Sequence, residues 1–235
     1  MKQFKLLILL LIAFSSCKEE TKEEVVIERG TVTDIDGNVY NTVKIGDQWW
    51  MAENLKVSRF NDGTEISLID NTNNDEWENT VLPSYSIINN GASGYLYNGN
   101  VVRSEKSIAP EGWHIPSDEE WRKMESYIGM NSSEVNETGF RGENEAGLLT
   151  SKNSTGWPAA GVLFGTDDFG FDARPGGCRI VDGRINIFNT TAFWWAKDTI
   201  NNGEGWYRYI DLYETRIFRQ TTYNEYGMSI RCVKD

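Results

Sequence analysis

His114 is the only histidine in the chain, and there are three cysteines, Cys17, Cys178 and Cys232. That narrows the nucleophilic and acid–base chemistry open to it. A hydrolase triad would need His114 beside an activated serine and a carboxylate, and the chain has no G-x-S-x-G elbow to carry that serine. His114 is flanked by Trp113, Ile115 and Pro116 at the entry to a predicted helix, where a structural hydrogen-bonding role is expected. A glycoside hydrolase needs two positioned carboxylates. Carboxylates are abundant, but no motif singles out a pair. The spacing of Cys178 and Cys232 forms no recognised metal signature. Oxygen ligands are better represented. Thr166-Asp167-Asp168 with Asp172 is the densest acidic loop, and Asn73-Asn74-Asp75-Glu76 is another. Such loops suit calcium. Asp167, Asp168 and Asp172 are therefore the candidate ligands of a structural calcium, the alternative being a solvated acidic loop without an ion. Asp34-x-Asp36-Gly37 begins like an EF-hand loop but has no glutamate at the twelfth position, so it reads as a hairpin turn.

Cys17 offers a different chemistry. Lys2 and Lys5 precede an unbroken apolar run from Leu6 to Phe14, followed by Ser15, Ser16 and Cys17. The run is far short of the roughly 20 residues of a spanning helix and fits the apolar core of an export signal. The cysteine after small residues resembles the lipobox of bacterial lipoproteins, although Phe14 stands where that pattern prefers leucine. The resemblance implies a signal peptide over residues 1–16 and a membrane anchor on the Cys17 thiol. The alternative is a secreted protein in which Cys17 merely lies near the cleavage site. Residues 17–29 begin with Lys18-Glu19-Glu20 and continue Thr21-Lys22-Glu23-Glu24. This tether lacks a core-forming pattern and is expected to be disordered. It is similar to the signal that sends lipoproteins of Bacteroidetes-type bacteria to the outer face of the outer membrane, so surface display is the expected location.

Stepping along the chain gives the elements that must position these groups. Thr31 to Ile35 and Val39 to Ile45 flank the Asp36-Gly37 turn as a predicted hairpin, and Trp49 to Leu55 reads as a third strand. Residues 61–93 are rich in Asn and Asp and read as long loops. Gly94 to Asn98 is a short aromatic strand. Ser117 and Glu120 form a capping box, followed by an apolar stripe at Trp121, Met124 and Ile128 and a C-terminal Gly129. A second short helix is expected over Glu143 to Leu149. Later strands are expected at Arg179–Val181, Arg184–Phe188, Phe193–Ala196, Trp206–Leu212 and Ser229–Val233. The plan is α+β: antiparallel strands with helices to one side.

The net charge is −12, and loss of Lys2 and Lys5 with the signal would deepen it. An acidic chain is a poor partner for phosphate backbones, which are held by Lys and Arg, so nucleic acid is not an expected partner. No linker interrupts residues 30–235, which are read as one domain. In an exported protein Cys178 and Cys232 could pair. A bridge would close about 55 residues and add roughly 4 kcal/mol in the chain-entropy model. Two free buried thiols are the alternative. Nothing specifies an oligomeric state.

Several segments together resemble the Fibrobacter succinogenes major paralogous domain family. They are Thr31–Tyr40, Ile45-Gly-Asp-Gln-Trp-Trp-Met-Ala-Glu-Asn-Leu55, Asn61-Asp-Gly63, Gly94–Asn98, Ala109-Pro-Glu-Gly-Trp-His-Ile-Pro-Ser-Asp-Glu-Glu-Trp121, Gly170-Phe171, Pro175-Gly-Gly177 with Arg179, Phe193-Trp194 and Gly227-Met-Ser-Ile-Arg-Cys-Val-Lys-Asp235. Gly112 to Trp121, Pro175-Gly-Gly177 and Ser229-Ile-Arg231 also look like segments of formylglycine-generating enzymes. That likeness implies a C-type-lectin-like fold with a twisted antiparallel core and long loops. Enzymes of that kind need a copper-binding cysteine pair, which this chain does not offer, so no catalysis is expected. The family likeness implies that Trp50 and Trp194 hold usual tryptophan positions. Their neighbours Trp49 and Trp195 are then extra rings, candidate stacking platforms where exposed, the alternative being that loops cover both; Trp206 is a weaker candidate. The expected function is a non-catalytic binding or adhesion domain for a glycan or other polymer. An interaction subunit for an envelope protein is the second expectation, and a divergent enzyme of the formylglycine-generating type the third.

Overall fold

A computed structural model of the chain describes residues 26–88, 94–186, 189–200 and 203–235. The expected signal segment and Cys17 lie outside them. The fold is α+β, mostly β, built of mainly antiparallel sheets with few helices; Ser67–Leu68 pairs parallel to Ser84–Ile87.

The first sheet has the order Arg29–Thr33, Val39–Ile45, Gln48–Met51, Val233–Lys234, Trp113–His114. Its opening hairpin forms where expected. Asp34 Oδ1 accepts from the backbone N–H of Asp36 at 3.0 Å and of Asn38 at 2.9 Å, a carboxylate tying its own turn. The last strand pairs Val233 with Trp50, so the last described strand joins the first sheet. The predicted strand over residues 49–55 stops at Met51, and Asn54 turns inward.

A second sheet runs Ile185–Asn186, Cys178–Arg179, Gly227–Met228, Tyr95–Asn98, Ser84–Ile87, Ser67–Leu68. Its last two strands and the helix Asn74–Asn79 fall in the stretch expected to be loops. The Asn73 side chain caps that helix by accepting from the Glu76 N–H, so this acidic cluster is a helix start. Arg179 is wholly buried beneath it, with its guanidinium 4.4 Å from the Trp77 ring centroid and bonded to four backbone carbonyls and Ser86 Oγ.

A third sheet has the order Thr191–Thr199, Gly205–Asp211, Ile217–Thr222, Gly139–Arg141. The strand Ile217–Thr222 escapes prediction because its arginine and polar residues conceal a buried element. One face of this sheet carries Trp194, Arg208, Arg219 and Arg141 beneath the helix Asp118–Tyr127. That helix starts with the predicted capping box and buries Trp121, Met124 and Ile128. It also buries two acids, Asp118 and Glu125. Glu125 sits 2.8 Å from Arg141 and 2.7 Å from Arg208, while Asp118 meets Arg219 at 2.7 Å and Arg208 at 2.9 Å. Burial alone would raise the Asp118 carboxyl, but hydrogen bonding and charge from Arg219 and Arg208 hold it at about 2.

The opposite face presents an aromatic row across all four strands. Phe193 pairs with Tyr209, Tyr209 with Phe218, and Phe218 with Phe140. Successive ring centroids lie 4.9, 4.5 and 4.9 Å apart.

Two apolar clusters form the core. One gathers Trp50, Trp121, Phe171 and Trp194, and the other Tyr40, Tyr97, Trp195, Cys178 and Cys232. The strand Thr191–Thr199 separates them, with Ala192, Trp194 and Ala196 facing one cluster and Phe193 and Trp195 the other.

Cys178 and Cys232 are both free and buried, so the contemplated bridge is not formed. Burial pushes the Cys178 thiol up to about 12 and raises Cys232 as well. Thiolate is the reactive form, and neither thiol is accessible. Neither should react with iodoacetamide in the native protein, and both should react in denaturant without reductant. Intact mass checks this: absence of label after unfolding without reductant would demonstrate a bridge.

Candidate functional site

Of the candidate stacking rings, Trp195 is covered. Trp195 is 0% exposed, its indole N–H donates to the Tyr97 carbonyl at 2.8 Å, and Arg103 covers its ring at 4.7 Å. Adjacent tryptophans do point to opposite faces of the strand, but both faces are covered by core. Trp49 is half-buried, and its ring lies against Gly30. Trp206 is half-buried too, with Arg219 stacked 3.8 Å from its ring centroid. Trp195 is thereby excluded as an exposed platform, while Trp49 and Trp206 keep part of their surface.

His114 bridges two acids. Nε2 lies 2.8 Å from Glu120 and Nδ1 lies 2.6 Å from Asp235. Desolvation would lower its pKa, but the two carboxylates outweigh that and raise it. Glu120 is also the capping-box residue, so His114 ties the helix start to the last strand. This is the structural role expected of it.

A polar cleft of about 330 Å³ is lined by Arg29, Tyr40, Asn41, Ala52, Glu53, Asn54, Lys56, Gly94, Asp167, Gly170, Asp172, Arg174 and Arg231. Its floor begins in the first core cluster. Trp50, Trp121, Phe171 and Trp194 pack with ring centroids 4.9–6.2 Å apart. Arg231 lies on this cluster, 4.2 Å from the Phe171 centroid and 5.6 Å from that of Trp194. Only 2% of Arg231 is exposed. Its Nε donates to Asn54 Oδ1 at 2.8 Å, Nη2 to the Asp172 carbonyl at 3.0 Å, and Nη1 to the Phe171 carbonyl. Asn54 Oδ1 also accepts from Trp194 Nε1 at 2.9 Å, and Asn54 Nδ2 donates to Ser229 Oγ at 3.1 Å. Gly94 makes room for this amide, because a Cβ there would stand 2.6 Å from Asn54 Cβ.

The wall comes from the loop containing Asp167 and Asp172, both held in left-handed backbone at φ 50° and 52°. Asp167 Oδ1 accepts from the Asp172 N–H at 2.8 Å, and Asp172 holds Arg174 at 2.9 Å. Asp168 is exposed and does not line the cleft. Burial pushes the Asp167 carboxyl up to about 6; the Asp172 charge adds to the rise, while Arg231 and Arg29 oppose it. Of the three candidate calcium ligands, the fold thus brings two together, among arginines. Among the described residues no group of three His, Cys, Asp or Glu side chains is placed to hold a metal ion.

A family model described as the Fibrobacter succinogenes major domain matches residues 43–234. The chain belongs to this family. No curated protein and no solved structure matches it. The span matched by the Fibrobacter succinogenes major domain contains most of the cleft; Arg29, Tyr40 and Asn41 come from strands that precede or enter it. The cleft residues Glu53, Asn54 and Arg231 stand in segments that carried the resemblance, but sequence reasoning assigned them no role. The available signal was a polar residue inside an apolar run, as in Ser229-Ile-Arg-Cys-Val233. Among the described residues no helix is long and apolar enough to cross a membrane.

Proposed function

We propose that the chain is a non-catalytic binding domain that takes a hydrophilic ligand, a glycan or similar polymer, in the cleft floored by Arg231 and Asn54. The observation that carries this reading is the pre-set polar floor. Ligand pockets of ordinary size, about 300–1,000 Å³, are mostly apolar with a few placed polar groups. This cleft falls at the lower end of that size range and reverses the balance, with ionic or amide side chains on most of its lining. Such a lining suits hydroxyl groups and charges more than an apolar molecule. The floor is held by packing and hydrogen bonds before any ligand arrives, which limits the ordering cost of binding. The export signal and the Cys17 lipobox support a lipid-anchored location at the outer membrane surface, where polymers would be the accessible ligands. The pairing of the last strand with the first sheet suits a C-type-lectin-like arrangement, and that finer fold is part of the proposal.

The aromatic row favours a second reading, an interaction subunit that docks an envelope protein. Tyr209 stacks on Phe218 and Phe140 meets Phe218 edge-on, so the rings are engaged with one another as in a packed apolar face. A polysaccharide screen with the full chain in detergent, beside Glu53→Ala and Phe218→Ala, separates the two. Saturable binding lost in Glu53→Ala alone supports the cleft. Binding lost in Phe218→Ala alone moves the site to the row. Release of reducing ends from a bound polymer would overturn the non-catalytic reading.

A further inference from the structure

We propose that the cleft selects an acidic sugar residue, a uronate, whose carboxylate lies among Arg29, Lys56, Arg174 and Arg231 while its hydroxyls meet Glu53 and Asp167. The proposal rests on the glycan reading and adds the class of sugar.

Charge balance is the first support. The chain as a whole carries −12, yet four cations and three carboxylates line the cleft. Asp172 is engaged with Arg174. Arg29, Lys56 and Arg231 then face only Glu53 and Asp167. A cationic recess on an acidic molecule concentrates the field that an anion would follow. The second support is Arg231 itself. It is buried, its three hydrogen-bond acceptors are a side-chain amide and two backbone carbonyls, and among the described residues no carboxylate lies within ion-pair distance of it. A buried charge without a direct counter-ion is costly, and a ligand carboxylate would offset that cost. Its nitrogens already donate to Asn54, Phe171 and Asp172, so Arg231 would act through its charge, and the two-point contact that a guanidinium fork makes with a carboxylate would come from the exposed Arg29.

The test is calorimetric titration of the full chain in detergent with a galacturonate trimer and with its methyl ester, which removes the charge and keeps the shape. The acid should bind about tenfold more tightly or better, as expected for charge-assisted hydrogen bonds. That preference should shrink at about 0.5 M salt. Arg29→Gln and Arg174→Gln, both at exposed residues, should reduce it while leaving thermal melting unchanged. Equal binding of acid and ester would overturn the uronate assignment and leave the glycan reading standing. Tighter binding of a sulfated trimer would also overturn it. No binding of acid, ester or any neutral oligosaccharide would remove both readings.

Discussion

Glu125→Ala is expected to cost the folded protein about 3–5 kcal/mol, the range for removing one partner of a buried ion pair. Glu125 is 0% exposed. Its Oε1 and Oε2 accept from Arg141 at 2.8 and 3.0 Å, and Oε1 also accepts from Arg208 at 2.7 Å. Without it, Arg141, Arg208 and Arg219 would share Asp118 alone in a place water does not reach. A surface pair is the control. Arg216 and Glu214 lie 2.6 Å apart with Arg216 44% exposed, and Arg216→Ala should change stability far less than Glu125→Ala, because solvent screens an exposed pair. Urea unfolding followed by tryptophan fluorescence checks both. A loss below about 1 kcal/mol in Glu125→Ala would mean that water or rearrangement compensates the arginines. The same network sets the acid limit. Asp118 is held at about 2, below its ordinary value of 3.8. Its stabilising effect is therefore complete above the ordinary value and is lost as pH falls through about 2.

This network also marks where the sequence could be read and where it could not. The helix over it was legible, because a capping box and an apolar stripe are local patterns. Asp118 and Glu125 were not, because an acid on a helix normally reads as solvated. Only the arginines at Arg141, Arg208 and Arg219, distant in sequence, make their burial tolerable. The opening hairpin was legible for the same local reason, with Asp34 and Gly37 stating the turn. Trp195 shows the opposite case. Alternation along the strand predicted its direction correctly, but whether that direction meets solvent or a second core depends on chain brought from elsewhere. The cleft was only partly legible. Asp167 and Asp172 stood out as an acidic loop and suggested a cation. The arginines that share the site, from residues 29, 174 and 231, come together only on folding and reverse the charge of the ligand it would favour.

Asn54→Ala should be nearly as damaging as the loss of Glu125, about 3 kcal/mol or more, for a different reason. No net charge is lost. The Asn54 Oδ1 satisfies both the Trp194 indole N–H and the Arg231 Nε–H, and its Nδ2 donates to Ser229 Oγ. Alanine would strand two buried donors at once, each worth about 1–3 kcal/mol when left unmet. It would also open space beneath Gly94, whose backbone packs on the Asn54 side chain. Two replacements separate these effects. Asn54→Leu fills space of similar size but accepts nothing, and should recover little. Asn54→Asp keeps acceptors for Trp194 and Arg231, can accept from the Ser229 hydroxyl, and places a negative charge beside a cation whose present acceptors are all uncharged. It should recover more than half of the lost stability. It should also weaken binding of any anionic ligand, because the new carboxylate would neutralise the Arg231 charge beneath the cleft. Recovery by leucine instead of aspartate would mean that packing, and not hydrogen bonding, holds the cleft floor in shape.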